Sequence, residues 1–182
     1  AIVECLRDHG IVVSDDAIRE GVAQARAPGR LEIVQRHPTV ILDGAHNPEK
    51  MCALSKALAD LWPKQRPVVV VGVLTAKNVE GMLSEILPMA RQVVVTAPLV
   101  QKKPAVAPED LAALCRRLGS DAAAEADPLS AIHKAEDLAG AKGLVCVTGS
   151  LYLVWQVRSF WFPTDLVIEQ RTSFPIYHRY SR

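Results

Sequence analysis

The chain has 182 residues, 49% of them apolar, and a formal net charge of +1. That length can bury a real core and suggests one domain plus an appendage. The near-neutral charge gives nucleic acid or an anionic membrane no electrostatic hold, and no apolar run approaches the roughly 18 residues of a membrane span.

The chain opens in helix-like sequence, AIVECLRDHG, where Ile2, Cys5, Leu6 and His9 share a face and Gly10 supplies a stop. This opening, without Met, leads to the expectation that the chain is a piece of something longer. A second helix starts at Ser14 as N-cap, with Asp15 and Asp16 in its first turn and Ile18, Val22 and Ala25 on one side. RAPGR then punctuates as a linker would, and LEIVQR and TVILDG, separated by His37-Pro38, look like a strand pair.

From Val40 the pattern alternates. A strand ending at Asp43 leads to a helix from Pro48 to Leu61, with Met51, Leu54, Leu58 and Leu61 on its buried face. PVVVVGVL leads to a helix near Asn78–Leu87, and RQVVVTAP to one over Pro108–Leu118. AAAEA is a weak strand before a helix from Pro128 to about Leu138, and GLVCVTGS runs into LYLVWQVRSF. Three of these helices carry Pro at their first position, after Asn47, Ala107 and Asp127. Continuous apolar strands alternating with helices predict a Rossmann-like α/β fold: a mostly parallel, doubly wound sheet with helices on both faces. The last twenty residues offer one more possible strand and a mildly cationic end, YHRYSR, read as a solvated terminus. Cys5, Cys52, Cys115 and Cys146 show no metal or disulfide spacing and are expected to be small buried hydrophobes in a reducing cytosol.

In such a sheet the turns after the strands face a common crevice. Those turns hold Asp43-Gly44-Ala45-His46-Asn47, Thr75-Ala76-Lys77-Asn78, Thr96-Ala97-Pro98 and Thr148-Gly149-Ser150, so one acid, one histidine, one lysine and one serine are expected to point into one space. Asp43 suits a vicinal diol such as a ribose, and Gly44 allows close approach to the backbone. Asn47 caps the helix opening at Pro48, Lys77 is a mobile charge for a carboxylate or phosphate, and Gly149-Ser150 opens a helix whose amides could cradle a carboxylate. Each has a plainer use as well: a turn acid, a loop histidine, a solvated lysine, an N-cap serine. Convergence is what favours an anionic small-molecule site. Neither GxxxxGK[ST] nor GxGxxG occurs, so a triphosphate has no phosphate loop in this chain.

The segments PGRLEIV, VILDGAHNP, VVVVGVLTAKN, GMLSEILP and VTGSLYLVWQVR resemble the C-terminal domain of folylpolyglutamate synthase/dihydrofolate synthase, in the Mur ligase superfamily. The likeness runs over most of Pro28 to Arg158. It implies that residues 1–27 close a preceding ATPase domain, that 28–162 form the Mur ligase C-terminal domain and that 163–182 are an extension. It further implies that Arg30 reaches the ATP phosphates and Asp43 the ribose. His46, Lys77 and Ser150 would bind L-glutamate or orient an acyl phosphate, with His46 and Lys77 catalytic. The implied reaction phosphorylates a carboxylate of folate or dihydropteroate with ATP and Mg2+, after which the glutamate amine displaces phosphate. The metal's ligands and the phosphate loop are expected in the preceding domain. A cytoplasmic monomer, inactive as an isolated domain, is expected. Lys77-Asn78 stands where the family usually has Lys-Asp, and Trp155-Gln156 where it often has Gly-Glu. These differences motivate a rival reading as a non-catalytic binding or regulatory module. A third, an unrelated nucleotide-binding α/β protein, rests on Asp43 alone.

Overall fold

The computed structural model describes residues 2–175. Two helices come first, α1 (Ile2–Asp8) and α2 (Asp15–Gln24), the latter capped by Ser14, whose side chain accepts from the Ala17 amide. The remaining elements are β1 (Glu32–Arg36), β2 (Thr39–Leu42), α3 (Pro48–Leu61), β3 (Val68–Val71), α4 (Val79–Ile86), β4 (Gln92–Val95), α5 (Pro108–Arg117), β5 (Ala122–Ala124), α6 (Pro128–Ala139), β6 (Leu144–Thr148), α7 (Leu151–Arg158) and α8 (Thr164–Glu169). The six strands form one sheet in the order β1-β2-β6-β3-β4-β5. All pairings are parallel except β1 with β2, which is the expected hairpin, turned at a cis His37-Pro38 bond.

Alternation along the buried strands sorts the helices onto two faces. Ile41, Val69, Val71, Val93, Val95 and Cys146 meet α3, α4 and α5 through Met51, Leu58, Met82, Leu83, Ile86 and Leu111. Val40, Leu42, Val68, Val70, Val94, Val145 and Val147 meet α6, α7 and Trp161 on the other face. The doubly wound α/β expectation holds, with one antiparallel strand at the edge. Its consequence for the site is geometric. β6 is threaded between β2 and β3, so three turns far apart in the chain become neighbours at the carboxyl edge.

Three local expectations are corrected. Leu61 lies on the apolar stripe of α3 but is 60% exposed, because the helix's last turn reaches beyond the layer it covers. The possible strand after residue 163 is α8: Thr164 and Asp165 open a helical turn after Pro163, and Val167 N–H donates to the Pro163 carbonyl. Position in the fold overrides the β-preference of Val167 and Ile168. Cys5 is exposed because α1 buries none of its residues, and Cys52 is half-buried because it lies beside, not on, the buried Met51, Leu54 and Leu58 stripe of α3. The YHRYSR end lies outside the described residues. Among the described residues no helix is long and apolar enough to cross a membrane.

The cysteines give a direct check. Burial pushes the Cys115 thiol up to about 11 and raises that of Cys146 further still, the Asp43 carboxylate adding to the effect. A disulfide reagent at pH 8 should therefore modify Cys5 within seconds and Cys52 more slowly, with the other two reacting only after denaturation, because the thiolate is the nucleophile. Four fast equivalents from the native chain would contradict this packing.

Candidate functional site at the carboxyl edge of the sheet

The β2–α3 turn is built around Asp43. Its carboxylate accepts the Leu31 amide (2.9 Å) on one oxygen and the Ala45 amide (2.8 Å) on the other, and the residue is 9% exposed. Gly44 N–H donates to the Gly29 carbonyl at 2.8 Å, so the linker is stitched to the sheet edge at two points. A Cβ on Gly44 would lie 2.2 Å from Leu151 Cδ2 and 3.3 Å from an Arg30 guanidinium nitrogen, which leaves room for glycine alone. Arg30 thus lies over the turn that Asp43 braces. This linker compartment continues into a hollow of about 530 Å³ between Arg26, Arg30, Arg36 and Phe174.

On the other side of Leu151 a second cleft of about 660 Å³ opens, lined by His46, Lys77 and Ser150 together with Lys103, Tyr152 and Trp155. Asp43 does not line it. The expected convergence of four side chains resolves into three in the cleft, with Asp43 turned toward the linker beside Arg30. All of them remain on one edge of the sheet.

Each cleft residue is held by local structure. Asn47 caps α3 by accepting the Lys50 amide at 2.9 Å, and Pro48 fills the first helical position as expected. His46 Nδ1 sits 2.8 Å from the Gly44 carbonyl, so this nitrogen carries the proton and Nε2 accepts from Lys50 Nζ at 3.2 Å. Lys50, in the first turn of α3, was not singled out from sequence. Its spacing of four from His46 on a helix start was the available signal. Ser150 is 3% exposed and caps α7 by accepting the Tyr152 amide at 3.2 Å, leaving its hydroxyl proton free to donate. Gly149 has φ +100°, and its amide donates to the Ala45 carbonyl at 3.1 Å, which ties the β6–α7 turn to the β2–α3 turn. Lys77 is exposed in the β3–α4 turn, and Asn78 caps α4 by accepting the Gly81 amide at 3.0 Å. An amide caps as well as a carboxylate, so Asn78 fulfils the local need without the charge.

The far wall belongs to the β4–α5 loop, which carries Lys102 and Lys103 and was missed from sequence. A charged pair in a long loop reads as solvated, and only the fold brings it to the cleft. Among the described residues the cleft wall therefore holds three lysines and a histidine, and no carboxylate lines it. A larger hollow of about 1020 Å³ lies at the amino edge, near Arg66, Arg91 and Lys134. There Arg66 is already spent on the carbonyls of Pro88, Met89 and Ala90, and none of the strand-end chemistry points into it. Among the described residues no three His, Cys, Asp or Glu side chains come together as they would around a metal ion. Those described residues do not fit a magnesium ion, which needs a set of oxygen ligands.

A mostly parallel, doubly wound α/β sheet with a cation-lined cleft and a braced linker on its carboxyl edge defines a small-molecule-binding domain of the open α/β class. The Mur ligase, glutamate ligase domain family matches residues 29–151. The chain belongs to the Mur ligase family, in its folylpolyglutamate synthase-type branch. It is 37% identical over 153 residues to the dihydrofolate synthase/folylpolyglutamate synthase of Escherichia coli, covering 84% of this chain and 35% of the relative. It is 32% identical over 148 residues to the Bacillus subtilis protein of the same name, covering 80% and 33%. The structure of Mycobacterium tuberculosis folylpolyglutamate synthase complexed with ADP and AMPPCP superposes with a TM-score of 0.73 at 32% identity, covering 84% of this chain and 36% of that one. The chain thus spans about a third of the length of the curated relatives it matches.

Proposed function

We propose that this chain is the amino-acid-delivering C-terminal domain of an ATP-dependent ligase that joins L-glutamate to folate or dihydropteroate. The observation that carries the reading is the cleft: His46, Lys77 and Ser150 converge on a space whose wall, among the described residues, has three lysines and no acid. Glutamate in its nucleophilic form has a neutral amine and two carboxylates, and such a wall complements it. In this reading Lys77 and the Ser150 hydroxyl hold carboxylate oxygens, and His46 Nε2 takes the amine proton lost on attack once the exposed Lys50 ammonium swings off its lone pair. The acceptor carboxylate takes the γ-phosphoryl group of ATP. The amine then attacks the acyl carbon, an amide bond forms, the C–O bond to phosphate breaks, and ADP and phosphate leave. The domain's part is position: the amine must meet an acyl phosphate presented from outside this chain.

Arg30 and Asp43 serve the nucleotide in the same reading. Asp43 accepts one amide on each oxygen, so each keeps a lone pair for a ribose hydroxyl, while Arg30 is free to swing to a phosphate. Residues 1–27 belong with a preceding ATPase domain, 28–162 form this domain and 163–182 extend it. The exposure of Ile2 (80%) on α1, Val22 (71%) on α2 and Val12 (96%) in the connection between them supports the first assignment, since this segment leaves its apolar side chains uncovered by the sheet domain. The isolated chain is then inactive as a ligase. The Asn78 and Trp155-Gln156 differences, which motivated a regulatory reading, have structural uses as an α4 cap and a loop anchor.

Lys77→Ala is the test. Lys77 is exposed, so stability should stay within ~0.5 kcal/mol. L-glutamate affinity, followed by calorimetry or NMR titration, should fall at least about tenfold, as for the loss of a charged hydrogen bond. Unchanged affinity would remove the reading.

A further inference from the structure

We propose that Lys103, paired with Tyr152, is the specificity-determining residue that selects the incoming amino acid by its side-chain carboxylate. This rests on the reading of the cleft as the amino-acid site, and it assigns a second anion seat beyond Lys77 and Ser150.

Three features place that seat. The β4–α5 loop is pinned at both ends. Near its start, Leu99 N–H donates to Gln156 Oε1 and Gln156 Nε2 donates to the Leu99 carbonyl, both at 3.0 Å, so one side chain on α7 matches the backbone as a neighbouring strand would. At the other end the Pro104 carbonyl accepts the Thr75 amide at 3.0 Å and the Thr75 hydroxyl at 3.2 Å, and Val106 N–H donates to the Val73 carbonyl at 2.9 Å. Between these anchors Lys102 adopts φ +59°, which turns the chain sharply just before Lys103.

The second feature is the pair itself. Lys103 Nζ donates to the Tyr152 hydroxyl and lies 4.8 Å from the centre of its ring. An ammonium has three donors, and only one is used on the phenol oxygen. The phenol, accepting from lysine, must aim its own O–H away from it. Two donors on adjacent atoms therefore face the cleft, the arrangement that a carboxylate's two oxygens need. The third is charge. Lys77 sits in the β3–α4 turn and Lys103 on the facing loop, both lining one cleft, and no carboxylate is among its described lining residues. An amino acid with a single carboxylate would leave one of these cations unmatched.

The experiment uses the 182-residue chain, isotope-labelled and titrated with L-glutamate and with L-glutamine, which has the same length but no side-chain charge. The wild-type chain should prefer glutamate at least about tenfold. Lys103→Met should weaken glutamate by about that factor, leave glutamine within about twofold and so abolish the preference. Lys103→Arg should keep the preference, and Tyr152→Phe, which retains the ring but not the hydroxyl, should reduce it partway. Both positions changed are at the surface, and superposable amide spectra would report an intact fold. Equal weakening of both ligands by Lys103→Met, or no weakening of either, overturns the proposal while leaving the cleft's assignment standing. Failure of the wild-type chain to bind either ligand at tens of millimolar overturns the cleft's assignment, and this proposal with it.

Discussion

Replacing Arg158 with leucine should destabilise the fold by ~3–5 kcal/mol, the range measured when one member of a buried ion pair is removed. Arg158 and Glu32 have side chains only 3% and 5% exposed and stand 126 positions apart in the chain. The guanidinium donates from Nε and Nη2 to the carboxylate at 2.8–3.0 Å and from Nη2 to the Ser173 carbonyl at 2.5 Å. Its plane packs 4.3 Å from the Phe162 ring centre. Glu32 also accepts the Gly29 amide at 2.7 Å, so the pair fastens the linker, β1 and α7 to one another. Loss of Arg158 leaves a buried carboxylate with a single amide for compensation. The double variant Glu32→Leu/Arg158→Leu should recover much of the loss, because no charge is then stranded in the interior. Urea unfolding gives the answer: the midpoint of the single variant should fall with an unchanged slope, and that of the double variant should lie between it and wild type. A single variant within about 1 kcal/mol of wild type would mean that the pair is not buried as described.

Gly149→Ala should carry the second large effect, a loss of roughly 2–5 kcal/mol from backbone strain and overpacking together. A Cβ there would lie 2.7 Å from the Gly72 carbonyl oxygen and 2.9 Å from Val71 Cγ2, and the residue holds φ +100°. Neither neighbour can yield, since one is backbone in the next turn and the other is in the core of β3. The displaced turn would carry Ser150 and the start of α7 out of the cleft, so L-glutamate binding should be lost as well. Gly10→Ala is the control: φ is +80°, but nothing lies within 4 Å, so only the left-handed backbone term of ~1–2 kcal/mol remains. Equal thermal shifts for the two variants would show that close approach at Gly149 contributes nothing.

The arrangement also explains why the cleft differs from its outline in the letters. Gly149, Ser150, His46 and Lys77 were legible because each occupies the last residues before a helix, where a strand hands over its end. Lys103 and Gln156 were not, because they lie inside a loop and a helix whose neighbours are set by strand order. Asp43 was read at the right edge and given the wrong compartment. It hydrogen-bonds to Leu31, twelve residues back, and Leu151, more than a hundred residues on, closes over the glycine beside it.

The amino-acid sequence by itself determined the elements: apolar runs of four or five residues, Asn47, Asp127 and Ser150 as caps, and proline at three helix starts are signals that act within one turn of the chain. It determined the α/β class for the same reason, since alternation is a local pattern. The tertiary structure alone decided which ends meet. Insertion of β6 between β2 and β3 put Gly149 against Gly72, Glu32 against Arg158 and the β4–α5 loop against α7. Such contacts gain their energy from shape and charge matched across the packed sheet, and no stretch of adjacent residues carries that information.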